Sequence, residues 1–304
     1  MDELSHMTHL DQQGLSLSLP MNWIDTHAHL DAAEFGDDTG QVLAQACAAG
    51  VRSVVIPAVE PGNFAAVRDL AHASGQVYAL GVHPLYADRV EEADFPRLRR
   101  ALLQARDDPQ CVAMGEIGLD FFAPGVNRDR QLWWYVQQLR LARELGLPVL
   151  LHVRKSQDVL LAGLRKLGWA QAGIGGIAHA FNGSRQQADM FIAQGFRLGF
   201  GGAMTFERAL NIRRLAAHLP DSSLVLETDS PDIPPEWLAR AEGRQSNTPA
   251  ELPRIAQTLA TLRGWTARQT ASITTANALA ALPRLAAWLE MRGALDGDAF
   301  PTLS

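Results

Sequence analysis

The sequence predicts one α/β domain folded as a (β/α)8 barrel of the TIM type. Eight short apolar runs alternate with helix-like segments along almost the whole 304-residue chain. The runs are continuous rather than alternating in polarity, which is typical of parallel strands buried on both faces. No glycine- or serine-rich linker divides the chain. Because barrels of about 250 residues commonly form one domain, a single barrel accounts for the whole pattern.

The strands are predicted where apolar and β-branched residues cluster between turn residues. In chain order they are Trp23–Thr26, Ser53–Ala58, Val77–Pro84 with the exit of the strand included, Cys111–Glu116, Pro148–His152, Gly176–His179, Phe196–Phe200 and Ser223–Asp229. The first strand is not followed by a G-x-G-x-x-G motif, which argues against a doubly wound nucleotide-binding sheet.

The segments between the strands have helical spacing. Several of them end at a glycine, such as Gly50, Gly146 and Gly195, which is typical of a helix C-cap. The predicted helices cover Val42–Ala49, Asn63–Ala73, Asp94–Ala105, Asn127–Leu145, Ser156–Leu167, Ser184–Ala193, Thr205–His218, Pro249–Leu262 and Ala267–Leu289.

Composition and the chain ends set limits on the class of protein. The net charge of −6 argues against broad electrostatic binding of nucleic acid, but nucleic acid can still bind at a metal-lined cleft. Two cysteines are too few for a disulfide scaffold, which suits a cytoplasmic protein. No apolar run is long enough for a membrane span, and nothing indicates an obligate protein partner.

The barrel is predicted to span residues 21–290. The segment before Met21 contains Asp2, Glu3 and Asp11 but no lysine or arginine, and it lacks the apolar core of a signal peptide. We therefore expect residues 1–20 to form a disordered N-terminal extension, and residues 291–304 to form a C-terminal tail.

Five of the nine histidines fall at the ends of predicted strands, where the active sites of barrels form. Two acidic residues end the fourth and the eighth predicted strand. The side chains concerned are His27, His29, His83, Glu116, His152, His179 and Asp229. Since histidine and carboxylate groups are ligands of divalent metal ions, this distribution predicts a metal site.

The number of donors predicts two ions rather than one. Side chains two positions apart on a strand point to the same face, so His27 and His29 can bind one ion together. Glu116 is the candidate bridge, because a carboxylate has two donor oxygens. Two ions held in this way produce hydroxide at neutral pH and clamp both the attacking and the leaving oxygen.

Short motifs follow one another along the chain, most of them at the ends of predicted strands. They are H-A-H-L-D at 27–31, G-V-H-P at 81–84, G-E-I-G-L-D at 115–120, H-V-R at 152–154, H-A-F-N-G-S at 179–184, E-T-D-S-P at 227–231 and N-T-P at 247–249. In order and spacing they resemble the TatD-related metal-dependent hydrolases. That family lies within the amidohydrolase-like barrels and is described mainly as deoxyribonucleases. The resemblance covers roughly residues 21–282.

The resemblance implies a hydrolase that cleaves DNA phosphodiester bonds with two divalent ions, for which Mg²⁺, Mn²⁺ and Zn²⁺ are the candidates. The ligands implied by position are His27, His29 and Asp229 for the first ion, Glu116 as the bridge, and His152 and His179 for the second ion. Ala28, Lys155 and Ala180 depart from the cysteine, aspartate and cysteine common in the family. None of them is an implied ligand, but Lys155 is expected to change the substrate pocket.

The expected reaction makes Glu116 and Asp229 the catalytic residues. A hydroxide bridging the two ions attacks phosphorus in line, and Asp229 orients this nucleophile or takes its proton. Arg154 is expected to bind the phosphate oxygens, with a structural salt bridge as its alternative role. His83 is expected either to contact the substrate phosphate or to support the site from behind.

Two other functions are compatible with parts of this pattern. The same ligands can serve an amidohydrolase-like hydrolase of a small amide, lactone or ester. Such enzymes often use a carbamylated lysine as the bridge, whereas Glu116 stands here and favours the nuclease. A barrel that binds a partner without catalysis is the third alternative, which the intact ligand set disfavours. DNA or another phosphoester is therefore the predicted substrate.

Overall fold

A computed structural model of the protein describes residues 21–241 and 246–293. The expected extension at residues 1–20 and most of the expected tail at residues 291–304 lie outside the described residues, so both stay predictions. Eight parallel strands form one sheet in the order of the chain. They are β1 (Trp23–Asp25), β2 (Val51–Pro57), β3 (Val77–Leu80), β4 (Cys111–Asp120), β5 (Val149–Arg154), β6 (Gly176–His179), β7 (Phe196–Phe200) and β8 (Leu224–Leu226).

The first and last strands meet and nearly close the sheet into a barrel. The amide of Thr26 donates to the carbonyl of Leu226 at 3.1 Å, and the amide of Asp229 donates to the carbonyl of His27 at 2.9 Å. The predicted fold class, α/β with a single (β/α)8 barrel of the TIM type, is thereby confirmed.

Helices lie between the strands and continue after β8. They are α1 (Thr39–Ala48), α2 (Phe64–Ser74), α3 (Phe95–Gln104), α4 (Arg128–Leu145), α5 (Gln157–Lys166), α6 (Trp169–Ala172), α7 (Arg185–Ala193), α8 (Leu210–His218), α9 (Glu236–Ala239), α10 (Leu252–Arg263), α11 (Ala267–Ala281) and α12 (Pro283–Met291). Among the residues that the structure describes, no helix has the length and apolar character needed to cross a membrane.

The last two helices close one end of the barrel. Leu282, Leu285 and Leu289 pack in one buried cluster with apolar side chains at the first or second position of six strands. Those strand residues are Ile24, Val77, Val112, Leu150, Ile177 and Val225. Because this cluster fills the end where the strands begin, the open mouth of the barrel lies at their carboxyl ends, where barrel active sites form.

Several predicted element bounds differ from the structure, and three of these differences concern the mouth or the closed end of the barrel. Glu116 does not end β4 but lies inside it, at a register irregularity between Met114 and Ile117, so that prediction was wrong. The strand continues because Gly118 lets the chain pass close to β5: a Cβ at this position would stand 2.3 Å from the carbonyl oxygen of His152. At such an approach only glycine fits.

The other two differences lie in the last third of the chain. β8 ends at Leu226, and the amide of Thr228 donates to the side chain of Asp25 instead of extending the strand. The helix predicted over Ala267–Leu289 is two helices, because Pro283 has no amide hydrogen and fits the first turn of a new helix.

Candidate metal centre

Seven side chains, from six strands or the loops directly after them, meet at the open mouth of the barrel. We call them the histidine–carboxylate cluster, and its members are His27, His29, His83, Glu116, His152, His179 and Asp229. Four of them are almost completely buried, and His29, His152 and Asp229 are partly buried. All seven were predicted from the sequence as site residues.

Glu116 lies at the centre of the cluster. One carboxylate oxygen faces the half formed by His27 and His29, and the other faces the half formed by His83 and His152. Its Oε2 lies 3.0 Å from Nε2 of His27 and 3.5 Å from Nε2 of His29. Its Oε1 lies 2.8 Å from Nδ1 of His152 and 3.4 Å from Nε2 of His83. A carboxylate placed in this way can serve two cations at once.

The half of the cluster around His27 has the donor spacing of a metal site. The Nε2 atoms of His27 and His29 are 3.3 Å apart, and Oδ1 of Asp229 lies 3.8 Å from each. Donors around one tetrahedral ion with bonds of about 2.0–2.1 Å stand about 3.3 Å apart. Two imidazole nitrogens this close need a proton or a cation between them. The residues present therefore fit a divalent metal ion.

The other half of the cluster differs in detail from the assignment made by position. His83 joins His152 and Glu116 in one group, with 3.1 Å between Nε2 of His83 and Nδ1 of His152. His179 lies on the far side: its ring stacks on that of His27 with the centroids 3.7 Å apart, and its Nε2 is 3.2 Å from Oδ1 of Asp229. The structure thus groups His179 with the donors assigned to the first ion.

The histidines and carboxylates set each other's protonation. Burial raises the pKa of Glu116 and Asp229, but the surrounding histidines outweigh it and hold both values below the ordinary range. Burial lowers the pKa of His83 to about 4. For His152 burial acts in the same direction, but hydrogen bonds to Asp120 and Glu116 prevail and raise the pKa to about 9. The two carboxylates are therefore ionised at neutral pH.

Asp25 fastens the exit of β1 to the exit of β8. Its carboxylate accepts hydrogen bonds from the amide of His27 at 3.2 Å, the amide of Thr228 at 3.0 Å and the hydroxyl of Thr228 at 2.6 Å. The side chain is fully buried. Burial raises its pKa to about 7, although these hydrogen bonds lower it. Asp25 thus fixes the backbone that carries His27 and, on the other strand, Asp229.

Replacing Asp25 by alanine is expected to lower the free energy of unfolding by about 2–4 kcal/mol, because three buried donors would lose their acceptor. Asp69→Ala is the matched control: Asp69 is 65% exposed and pairs with its neighbour Arg68. A surface pair of this kind contributes about 0–1 kcal/mol. Urea unfolding followed by circular dichroism measures both. Equal unfolding midpoints for the two variants would contradict this role of Asp25.

Asn247 and Asp120 hold the loops around the cluster. The Asn247 amide donates to the carbonyls of Thr228 and Asp232, both at 2.8 Å, across the loop that contains Asp229. Asp120 Oδ2 lies 3.1 Å from Nε2 of His152, and Asp120 Oδ1 accepts two amide hydrogen bonds from the loop after β4. Both residues therefore support members of the histidine–carboxylate cluster through the loops and the ring that they contact.

Glu227 is a functional candidate to which the sequence assigned no role. Its Oε1 accepts the amide of Ala180 at 2.6 Å and lies 3.1 Å from Nδ1 of His179. The carboxylate is 1% exposed and fills the space left by Gly199, where a Cβ would stand 2.1 Å from Oε2. The available signal was an acidic residue directly after an apolar strand, but nothing in the sequence shows which ring it faces.

Backbone strain is concentrated at the same strand exits. Lys155, Ala180 and Asp229 have φ values of 56°, 44° and 56°, in the left-handed region that L-residues rarely adopt. Lys155 directly follows Arg154, Ala180 directly follows His179, and Asp229 itself belongs to the cluster. Residues held in such conformations commonly lie at functional sites, where the surrounding structure imposes them.

Arg154, the predicted phosphate contact, lies at the rim and outside the three donor groups. Its guanidinium carbon is 4.4 Å from the centre of the Phe122 ring, and its Nη1 is 3.9 Å from Oδ2 of Asp120. The side chain is 54% exposed. It is therefore free to contact a substrate that approaches the cluster from solvent.

A cleft of about 660 Å³ opens beside the cluster, between the loops that follow β6, β7 and β8. The loop after β6 begins directly after His179, and the loop after β8 carries Asp229. The volume is in the range of small-molecule sites. The lining side chains include Asn182, Phe206, Arg208, Leu210, Asn211, Ile233 and Pro234.

Comparison with known proteins identifies the family. The family model described as TatD related DNase matches residues 24–283. An uncharacterized metal-dependent hydrolase of Escherichia coli, YjjV, is 39% identical over 242 residues, which are 79% of this chain and 90% of that protein. The 3′–5′ ssDNA/RNA exonuclease TatD of Klebsiella pneumoniae is 34% identical, again over 79% of this chain and 90% of the relative.

The comparison of structures agrees. The crystal structure of YjjV, a TatD homologue from Escherichia coli, superposes with a TM-score of 0.79 at 37% identity, covering 86% of this chain and 98% of that one. The family model spans all eight strands except Trp23, the first residue of β1, and it includes every member of the histidine–carboxylate cluster. This chain therefore belongs to the TatD-related family of metal-dependent hydrolases.

Proposed function

We propose that this protein is a deoxyribonuclease that hydrolyses DNA phosphodiester bonds, acting from strand ends, with two divalent metal ions. The position of Glu116 is the observation that carries this proposal: one oxygen faces His27 and His29, and the other faces His152. A carboxylate shared between two groups of donors can hold two ions at once. Two-ion centres are widespread among phosphatases and nucleases.

We propose one ligand set for each ion. His27, His29 and Asp229 would hold the first ion together with Oε2 of Glu116. Glu116 Oε1 would hold the second ion with His152 and His179, as the family resemblance implies. The grouping of His83 with His152 makes His83 the alternative third donor. Because nitrogen donors predominate, the set suits Zn²⁺ better than Mg²⁺ or Mn²⁺, which prefer oxygen.

The side chains of the mouth divide the remaining work. When bound, the ions supply Lewis-acid activation of water and stabilise charge on the phosphate oxygens. Asp229 is ionised, because the nearby histidines hold its pKa below the ordinary range. It can therefore accept a hydrogen bond from the attacking water and orient it. Arg154 can donate to a phosphate oxygen from the rim, as guanidinium groups do in phosphate sites.

Nucleic acid is the substrate class that the relatives favour. The Klebsiella pneumoniae relative is named as an exonuclease on single-stranded DNA and RNA. Because this chain carries a net charge of −6, attraction to a polyanion must come from the mouth itself. Arg154 and Arg208 both lie at the mouth, the second in the cleft lining. We therefore propose that a single-stranded end enters there.

A panel of substrates tests this function. Chelator-treated protein is assayed with labelled single- and double-stranded oligonucleotides, nucleotide monoesters and simple lactones, and each metal ion is added in turn. We expect metal-dependent release of nucleotides from the single strand and no comparable lactone hydrolysis. Hydrolysis of lactones or cyclic amides without phosphodiester cleavage would replace the nuclease by the small-substrate alternative.

Metal binding is expected to release protons. At pH 8 the metal-free His152 ring is protonated, since its pKa is raised to about 9. A metal ion binds only the neutral ring, so binding must displace this proton and weaken as the pH is lowered below 9. Calorimetric titration in two buffers of different ionisation enthalpy measures the release. His72→Gln, which removes an exposed histidine paired with Asp108, is the control and should not alter it. Identical heats in the two buffers would exclude the release.

A further inference from the structure

We infer that Phe122 and Arg154 form a nucleobase platform at the rim of the site: the ring stacks a base of the strand being cleaved, and the guanidinium binds the adjoining phosphate. That the ligand is a nucleotide rests on the proposed nuclease function; the residues that hold its base are new here. It rests on exposure, rigidity and position beside the cluster, which are independent observations.

Phe122 is exposed in a position where stability alone gives no reason for a phenylalanine. The residue is 58% exposed. Among the large apolar side chains that are exposed in the described residues, it is the one aromatic. Its ring contacts Arg154, but a surface cation–π pair stabilises less than burial of the ring would. An exposed aromatic ring beside a charged group is typical of a binding surface.

The loop that carries Phe122 is held rigidly. The amides of Phe122 and Ala123 both donate to Oδ1 of Asp120 at 2.9 Å. The other oxygen of Asp120 lies 3.1 Å from Nε2 of His152, which belongs to the histidine–carboxylate cluster. One buried carboxylate thus fixes the ring relative to a proposed metal ligand, so a base on the ring would have a defined distance from the reacting phosphate.

The chemistry of the pair fits one nucleotide. Bases stack on aromatic rings with little regard to sequence, because every base has a flat π face. A guanidinium next to the ring supplies the phosphate contact that such sites combine with stacking. Phe206 and Arg208 form a second pair in the cleft, but Phe206 is partly buried and its centroid lies 5.3 Å from the guanidinium carbon. Phe122 therefore offers the more accessible ring.

The test compares substrates that differ only in the base. Phe122→Ala, Phe122→Leu and Arg154→Ala are assayed with a single-stranded oligonucleotide and with the same strand made abasic at its two terminal nucleotides. Leu103→Ala is the control, because Leu103 is an exposed apolar residue, 44% exposed. It lies near the end of α3, which leads to the start of β4 and therefore not to the mouth of the barrel. A second readout is the fluorescence of a terminal 2-aminopurine in a phosphorothioate strand that resists cleavage, with metal-loaded protein.

Phe122→Ala is expected to raise KM about 5- to 150-fold on the normal strand, the effect of losing one stacked base, and to leave kcat within about twofold. On the abasic strand the change should be under about twofold. Phe122→Leu should lie between, and Arg154→Ala should raise KM on both strands. The wild-type protein and Leu103→Ala, but not Phe122→Ala, should quench the 2-aminopurine.

Each other outcome decides between the platform and the proposed function. Equal losses on both strands would overturn the platform and would show instead that Phe122 supports His152 through Asp120. Normal KM values in Phe122→Ala would overturn the platform while the nuclease function stands. Quenching that depends on Phe122, without cleavage of any strand, would support the platform and overturn the proposed function. Absence of quenching by the wild-type protein would overturn the platform.

Discussion

Replacing Glu116 by glutamine is expected to lower kcat/KM by about 10³-fold or more. The change keeps the shape of the side chain but removes its charge and one of its two acceptor oxygens. Those oxygens lie 3.0 Å from His27 and 2.8 Å from His152, so both halves of the cluster would lose a ligand or a counter-charge. We expect the bound metal to fall from two ions per chain to one or none.

Metal content by mass spectrometry and steady-state kinetics on an oligonucleotide measure these effects together. Glu290→Gln makes the same chemical change at an exposed position of α12 and should preserve both values. Thermal unfolding shows whether the variant protein is folded. An active Glu116→Gln protein with two ions bound would exclude Glu116 as the bridge.

Replacing Glu227 by glutamine is expected to weaken metal binding about 10- to 100-fold, the usual effect of losing a carboxylate that orients a histidine ligand. Glu227 lies 3.1 Å from Nδ1 of His179, and its interaction leaves Nε2 of that ring directed at Asp229. Glu227 is thus a positioning residue. Gly199→Ala should act in the same direction, since its Cβ would occupy the place of the Glu227 carboxylate.

Titration of metal-free protein with Zn²⁺ or Mn²⁺ gives the affinities. Glu144→Gln changes a half-exposed carboxylate on α4 that pairs with Arg99, and it should bind metal like the wild type. Glu227→Gln keeps the volume of the side chain, so it serves as the test if Gly199→Ala does not fold. Unchanged affinity in Glu227→Gln would show that His179 needs no such support or is not a ligand.

Much of this site could be predicted from the sequence because parallel strands bring their carboxyl ends to one place. His27, His152 and His179 each follow an apolar run, and a barrel converts that shared position in the chain into a shared position in space. The types of residue then indicate the chemistry. For these reasons the fold class and the members of the cluster followed from residue type and strand order.

The details that the sequence did not predict depend on directions of side chains. Glu116 was placed at a strand end, whereas it lies inside β4 and reaches the cluster from a register irregularity. His179 lies with the donors assigned to the first ion, and His83, to which no ion was assigned, lies with His152, because ring orientation depends on contacts made across the barrel. Glu227 and Phe122 gained their roles only from burial and exposure, which are properties of the folded chain.

Anomalous diffraction from crystals loaded with Mn²⁺ or Zn²⁺ tests the central claim most directly, because it locates the ions without reference to activity. We predict two anomalous peaks in the mouth of the barrel, with Glu116 as a ligand of both. The first should be bound by His27, His29 and Asp229, and the second by His152 together with His179 or His83. A cluster without a peak, or a single ion that Glu116 does not contact, would contradict the two-ion centre.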